Sequence, residues 1–206
     1  MTEDRAAELA LNRALWAVMN ERFTDAAADG MWAREQVAWG LFAVPDRDLG
    51  VLGDVDGLDV VELACGTAYF SAWLARAGAR TVAVDVSHEQ LTTALRMQRE
   101  RGPAFPLVQA DAERLPLPSE RYDLVVSEHG AAAWCDPERW LPEAARLADD
   151  IDLNVAIAVW GNHGPTVVHI EECSRQIHIN MRPGTVMTPL LLSATGRVFA
   201  AFLPQR

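Results

Sequence analysis

The sequence contains no lysine: all 18 of its basic residues are arginine, set against 29 acids, for a formal net charge of −11. The missing lysine points to a GC-rich coding bias more than to a chemistry. The acidic balance repels phosphate backbones and argues against a nucleic-acid partner. Only three cysteines are present, Cys65, Cys135 and Cys173, and they form no CxxC pair. A disulfide framework is therefore not expected, and reduced thiols in the cytoplasm are. The first 30 residues lack the basic start and apolar run of a signal peptide. No stretch approaches the roughly 18 apolar residues that a membrane span needs. Isoleucine is absent from the first 150 residues and occurs five times between 151 and 179, so the chain changes character there.

What is present alternates. Residues 2–28 carry Leu9, Leu15, Trp16 and Met19 at roughly helical spacing, and "MWAREQVAWGLF" predicts a second helical piece ending before Pro45. A link dense in Asp and Gly follows, "PDRDLGVLGDVDGLD". Then come a strand "LDVVELA", a helix "YFSAWLARAG" closed by Gly78, a strand "RTVAVDV", and a helix "HEQLTTALRMQRERG" capped by Ser87. Two more strands, "FPLVQAD" and "RYDLVVSE", precede a helix "DPERWLPEAARLA" with Pro137 in its first turn. Strand and helix in alternation predict an α/β fold, a doubly wound, mostly parallel sheet of Rossmann type with an N-terminal helical cap over residues 1–45. Residues 46–206 would form the Rossmann-like domain. Its last third, 148–206, is atypical: "IDLNVAIAVW", "TVVHIEE", "TVMTPLLL" and "GRVFAAFLP" read as strands separated by Gly and Pro turns, with no helical period.

In a doubly wound sheet the ligand lies beyond the carboxyl ends of the strands. The turn after the first such strand, Ala64-Cys65-Gly66-Thr67-Ala68-Tyr69, has one glycine where a pyrophosphate loop has three, which weakens a nicotinamide oxidoreductase reading. Asp85 lies 19 residues after Gly66, the spacing of a carboxylate that binds ribose hydroxyls. Glu62 would repel a pyrophosphate and suits a cationic amino group. A nucleoside that carries an amino acid fits both halves, and S-adenosylmethionine is such a molecule.

Three stretches, "VVELACGTAYFSAWLARAG", "VAVDVS" and "DAERLPLPSERYDLVVSEHGAAAWCDPERWLPEAARL", follow in order over residues 58–147. Together they resemble the class I S-adenosylmethionine-dependent methyltransferases, in particular the small-molecule branch that includes quinone C-methyltransferases. The resemblance implies methyl transfer to a small-molecule acceptor by direct displacement, leaving S-adenosylhomocysteine. It implies that Glu62 orients the methionine portion and that Ala64, Cys65, Gly66 and Ala68 form the close-approach loop. Asp85 would hold the ribose, Val86 would pack on adenine, Asp111 would accept the adenine amino group, and the Ala112 N–H would meet a ring nitrogen. Ser127 would lie near the transferring methyl, and Trp32 would help close the pocket.

Each assignment has a plainer counterpart. In those plainer readings Asp85 merely caps the next helix, Glu62 hydrogen-bonds the loop, and Asp111 is a turn acid, although the ribose contact is the favoured reading of Asp85. His129 is the candidate general base, its imidazole suited to neutral pH, against a solvated loop histidine. His163, His169, Cys173 and His178 match no zinc spacing, so no metal is expected. Two departures stand out. The family commonly has Gly at the positions of Ala64 and Ala68, where a methyl is tolerable if φ stays negative. After "EAARL" the family's Arg-Pro-Gly-Gly turn is missing, and Arg182-Pro183-Gly184 is the only such tripeptide. The tail motivates the alternative, a methyltransferase-like remnant that binds cofactor weakly or not at all.

Overall fold

The computed structural model describes residues 3–39, 44–49, 52–128, 130–148, 155–161 and 164–171. The chain forms two compact units, residues 1–149 and 150–206.

In the first unit the N-terminal helix is longer than its periodicity indicates. Helix α1 (Glu3–Met19) passes through a π-helical turn, Asn20–Thr24, into α2 (Asp25–Trp32). The second helical piece expected over "MWAREQVAWGLF" stops at Trp32. Instead, β1 (Ala38–Trp39) pairs antiparallel with β2 (Val44–Pro45), and a short α3 (Asp46–Leu49) follows. Tertiary contacts override local propensity here. The Trp39 indole donates to Asp46 Oδ1 at 2.7 Å, its ring meets Phe70 at 5.0 Å, and Asp46 N–H donates to the Val37 carbonyl.

The remaining elements follow the predicted alternation: β3 (Asp59–Leu63), α4 (Tyr69–Arg76), β4 (Arg80–Asp85), α5 (His88–Arg101), β5 (Leu107–Gln109), β6 (Leu124–Val126), α6 (Ala131–Trp134) and α7 (Pro137–Leu147). The four strands are parallel in the order β5-β4-β3-β6, so the strand order reverses between β3 and β6. Alternate residues of β3 serve opposite faces, as a strand's period of two requires. Val61 and Leu63 pack with Leu147 and Ala144 of α7, whereas Val60 packs with Phe70 and Leu74 of α4. Ala83 of β4, with Leu91, Ala94 and Met97 of α5, builds a third cluster that reaches Ala28 and Trp32. Helices therefore cover both faces, and the sheet is doubly wound.

In the second unit β7 (Val155–Gly161) and β8 (Gly164–Glu171) form an antiparallel pair of their own, with an irregularity between Ile157 and Ala158. The expected strands over "TVMTPLLL" and "GRVFAAFLP" lie outside the described residues. Among the described residues no helix is long and apolar enough to cross a membrane.

Candidate functional site

A cavity of about 200 Å³ opens at the carboxyl ends of β3, β4 and β6, where the strand order reverses. Its floor is the turn between β3 and α4. That turn demands unusual backbone: Ala64, Gly66 and Ala68 have φ of 54°, 56° and 57°. Only glycine adopts this region freely, so the negative φ that would make the two alanines tolerable is not what the turn uses. A Cβ on Gly130 would collide with the Ala64 carbonyl oxygen, so a second glycine lets the segment after β6 press against the loop.

Asp85 at the end of β4 fixes the loop. Its Oδ2 accepts the Gly66 N–H and its Oδ1 the Ser87 N–H, each at 2.8 Å. The carboxylate is 7% exposed and lines the cavity. Burial raises its pKa, against the opposing pull of the Ser87, Gly66 and Val86 N–H groups. A carboxylate with two oxygens retains lone pairs beyond these two bonds. Ala64, Cys65, Val86, Asp111 and Ala112 line the same cavity. The Cys65 thiol is buried, and burial, then Asp85 and Glu62, hold its pKa well above the ordinary value.

Four expected contacts stand behind the cavity wall. Helix α4 begins at Ala68, which has no side chain to cap its exposed N–H groups. Glu62, on β3, supplies the cap: its Oε2 accepts the Ser71 N–H at 2.9 Å and the Ser71 hydroxyl at 2.5 Å. Ala68 itself is fully enclosed. Ser127 ties β6 to β3, donating to the Leu63 carbonyl and accepting the Ala131 N–H, both at 2.8 Å. Trp32 holds the loop from outside, its indole N–H donating to the Thr67 carbonyl at 2.8 Å while its ring stacks on Phe105. His129 lies outside the described residues, although both its neighbours, Glu128 and Gly130, line the cavity.

The cavity also gathers residues that no motif marks. From α1 come Arg5, Leu9, Asn12 and Trp16, and from the π turn Thr24. Arg5 is 7% exposed; its Nη2 donates to both Asp111 oxygens at 2.9 and 2.8 Å and lies 2.7 Å from Glu113 Oε2. The N-terminal helix is thereby clamped onto the acid expected to meet adenine. Trp16 meets Trp134 edge-on at 5.1 Å, and with Leu9 they make the apolar end of the cavity. Tyr69 donates to Glu128 Oε2 at 2.8 Å at the mouth. Their common signal is the face of α1 opposite its exposed Leu11, Leu15 and Val18, a face that only an assembled fold identifies. Among the described residues no cluster of His, Cys, Asp or Glu is arranged to hold a metal ion.

Residues 61–150 match the methyltransferase domain family. This segment is similar to methyltransferase domains. Curated relatives of the domain include malonyl-[acyl-carrier protein] O-methyltransferase from Pectobacterium atrosepticum, 35% identical over 91 residues, covering 44% of this chain and 34% of the relative. Demethylmenaquinone methyltransferase from Mycobacterium sp. strain JLS is 34% identical over 119 residues, 58% of this chain and 44% of the relative. The match thus spans between about a third and under half of these relatives' length. Two solved structures share the domain's fold. The [4+2]-cyclase SpnF gives a TM-score of 0.58 at 22% identity, over 74% of this chain and 61% of that one. Phosphoethanolamine N-methyltransferase 1 from Haemonchus contortus gives 0.56 at 16% identity, over 93% and 40%.

Proposed function

We propose that the cavity binds S-adenosylmethionine and that the chain transfers its methyl group to a small-molecule acceptor by direct displacement. The observation that carries the reading is the Gly66 loop held by Asp85 at the reversal in strand order of a segment similar to methyltransferase domains. The donor set fits the group. Among the described residues Asp85, Asp111 and Glu128 line the cavity against the single cation of Arg5, an acidic surround suited to a ligand that carries a sulfonium and an ammonium. When bound, the cofactor supplies a methyl on a positively charged sulfur.

The chain's own residues orient and enclose. The spare lone pairs of Asp85 accept ribose hydroxyls, and Val86 and Ala112 flank the base. Asp111 receives the adenine amino group once Arg5 yields one of its two oxygens. Trp16, Trp134 and Leu9 exclude water from the apolar end, where a neutral acceptor would dock. Alignment of nucleophile and methyl supplies most of what such a displacement needs. A proton released by the acceptor passes to Glu128 or His129. The acceptor is a small molecule in this reading, and the cytoplasm is the expected compartment.

The remnant reading draws support from the two alanines at positive φ, which stiffen and strain the loop. Calorimetric titration of the full chain with S-adenosylhomocysteine tests the primary proposal. Binding at micromolar concentration is expected, weakened at least tenfold in Asp85→Asn, with a raised melting temperature at saturating ligand. A folded wild-type chain that does not bind would overturn the assignment. Binding without turnover on neutral aromatic, amine and thioester acceptors would favour the remnant.

A further inference from the structure

The π turn between α1 and α2 adds an extra residue to a helix, a costly irregularity that usually marks a functional position. Here it lets Asn20 and Thr24 face the same neighbour, Gln90 of α5. Thr24 Oγ1 donates to Gln90 Oε1 at 3.2 Å, and Asn20 Nδ2 lies 3.4 Å from the same oxygen.

The direction of every proton in this network follows from one group. Asp25 is held below the usual carboxylate pKa by its hydrogen bonds from Thr93 and Arg96, so it only accepts. Thr93 must donate to it, at 2.6 Å, which leaves the Thr93 oxygen to accept Asn20 Nδ2 at 3.1 Å. The Asn20 amide nitrogen therefore faces the network, and Gln90 must present its oxygen in return. Gln90 Nε2 is left with no partner among the described residues, although the residue is 1% exposed. A buried amide without a partner is costly, and no group among the described residues relieves it. Gln90 lines the cavity beside Gly66, Asp85 and Val86.

We propose that Gln90 is a ligand-binding residue that donates to a sugar hydroxyl of the nucleoside, and that Asn20 and Thr24 are positioning residues that aim it. This inference rests on the cofactor reading above. The chemistry of the pair is complementary. Asp85 only accepts and takes the hydroxyl's hydrogen; the Gln90 amide only donates at its free end and meets the hydroxyl's oxygen. A vicinal diol offers both. A deoxy sugar or a phosphorylated one would leave Gln90 unsatisfied or crowd Asp85, so the site selects an unmodified ribonucleoside.

The test is calorimetry on the full chain with S-adenosylhomocysteine, adenosine and 2′,3′-dideoxyadenosine as probes. Gln90→Glu keeps the oxygen that Asn20 and Thr24 require and removes the donor; Gln90→Met removes both. Each is expected to weaken S-adenosylhomocysteine and adenosine by roughly three- to tenfold, the range of one hydrogen bond. Neither is expected to change the affinity for the dideoxy probe. Asn20→Ala, outside the cavity, should weaken the same two ligands in the same sense and add little in a Gln90→Met background. Unfolding midpoints of the variants check that each is folded. Wild-type binding with unchanged affinity in folded Gln90 variants overturns this inference alone. Equal weakening of the dideoxy probe also overturns it, because packing rather than the hydrogen bond would then be responsible. A wild-type chain that binds neither S-adenosylhomocysteine nor adenosine overturns the cofactor reading, and this inference with it.

Discussion

Glu62 is 2% exposed, and its pKa is raised to about 8, first by burial and then by the nearby charges of Glu128 and Asp85, against the pull of its bonds from Ser71. The sign of the consequence follows from proton counting. Between the ordinary carboxyl value near 4.5 and about 8, the folded chain holds a proton on Glu62 that the unfolded chain has released. Stability therefore falls as pH rises through that window and levels off above it. Glu62→Gln cannot titrate, and its amide oxygen can still accept the Ser71 N–H. Urea unfolding at intervals from pH 5 to 8.5 should show a shallower decline for Glu62→Gln than for wild type. Parallel curves would mean that the carboxyl is already ionised at pH 5. The residue's position was legible in the sequence, as an acid ending a buried strand. Its role as the cap of α4 was not, because that depends on how Ser71 sits above it once the turn has closed.

At the scale of elements, the turn from β3 to α4 is the costliest local structure described. An L-residue in the left-handed region costs about 1–2 kcal/mol, while glycine in its place gives back about 0.5–1 kcal/mol through the entropy of the unfolded chain. The difference favours glycine by about 0.5–1 kcal/mol at each of Ala64 and Ala68. The double variant Ala64→Gly, Ala68→Gly should be more stable by about 1–2 kcal/mol in equilibrium denaturation, with α4 otherwise unchanged. A loss of stability would show that the buried Ala68 methyl, packed with Ala72 and Cys65, outweighs its backbone strain. The sequence announced this turn through Gly66 and the helical period that follows it. The two-residue pair Ala38–Trp39 with Val44–Pro45 was illegible, because its warrant is the bond from Trp39 to Asp46 rather than any local pattern. The same holds for the cavity roof. The apolar period of α1 indicates a helix, but which face meets Asp111 is set by Arg5, a basic residue that sequence patterning assigns to solvent.

For the whole molecule, the division near residue 149 separates what composition alone had already set apart, the isoleucine-free part from the rest. Strand character in the second unit was legible from "NVAIAVWG" and "TVVHIE", while its pairing was left open. The decisive signal is the loop length. Only two residues separate β7 from β8, a connection that closes an antiparallel hairpin, whereas a parallel neighbour needs a crossover of about a dozen residues. The first unit's three core clusters use residues from Ala28 to Leu147, and every described cavity-lining residue lies between Arg5 and Cys135. A chain ending at Asp149 is therefore expected to unfold in one cooperative transition and to bind S-adenosylhomocysteine within about threefold of the full chain, a change below 0.7 kcal/mol. Denaturant titration and calorimetry on the two chains side by side make the comparison. The risk to the shorter chain is β6, which ends the strand order β5-β4-β3-β6 among the described residues, because an end strand can pair with another chain. A shortened chain that binds normally but self-associates would show that residues 150–206 limit association. One that neither folds nor binds would overturn the expectation that the first unit's own core and cavity suffice.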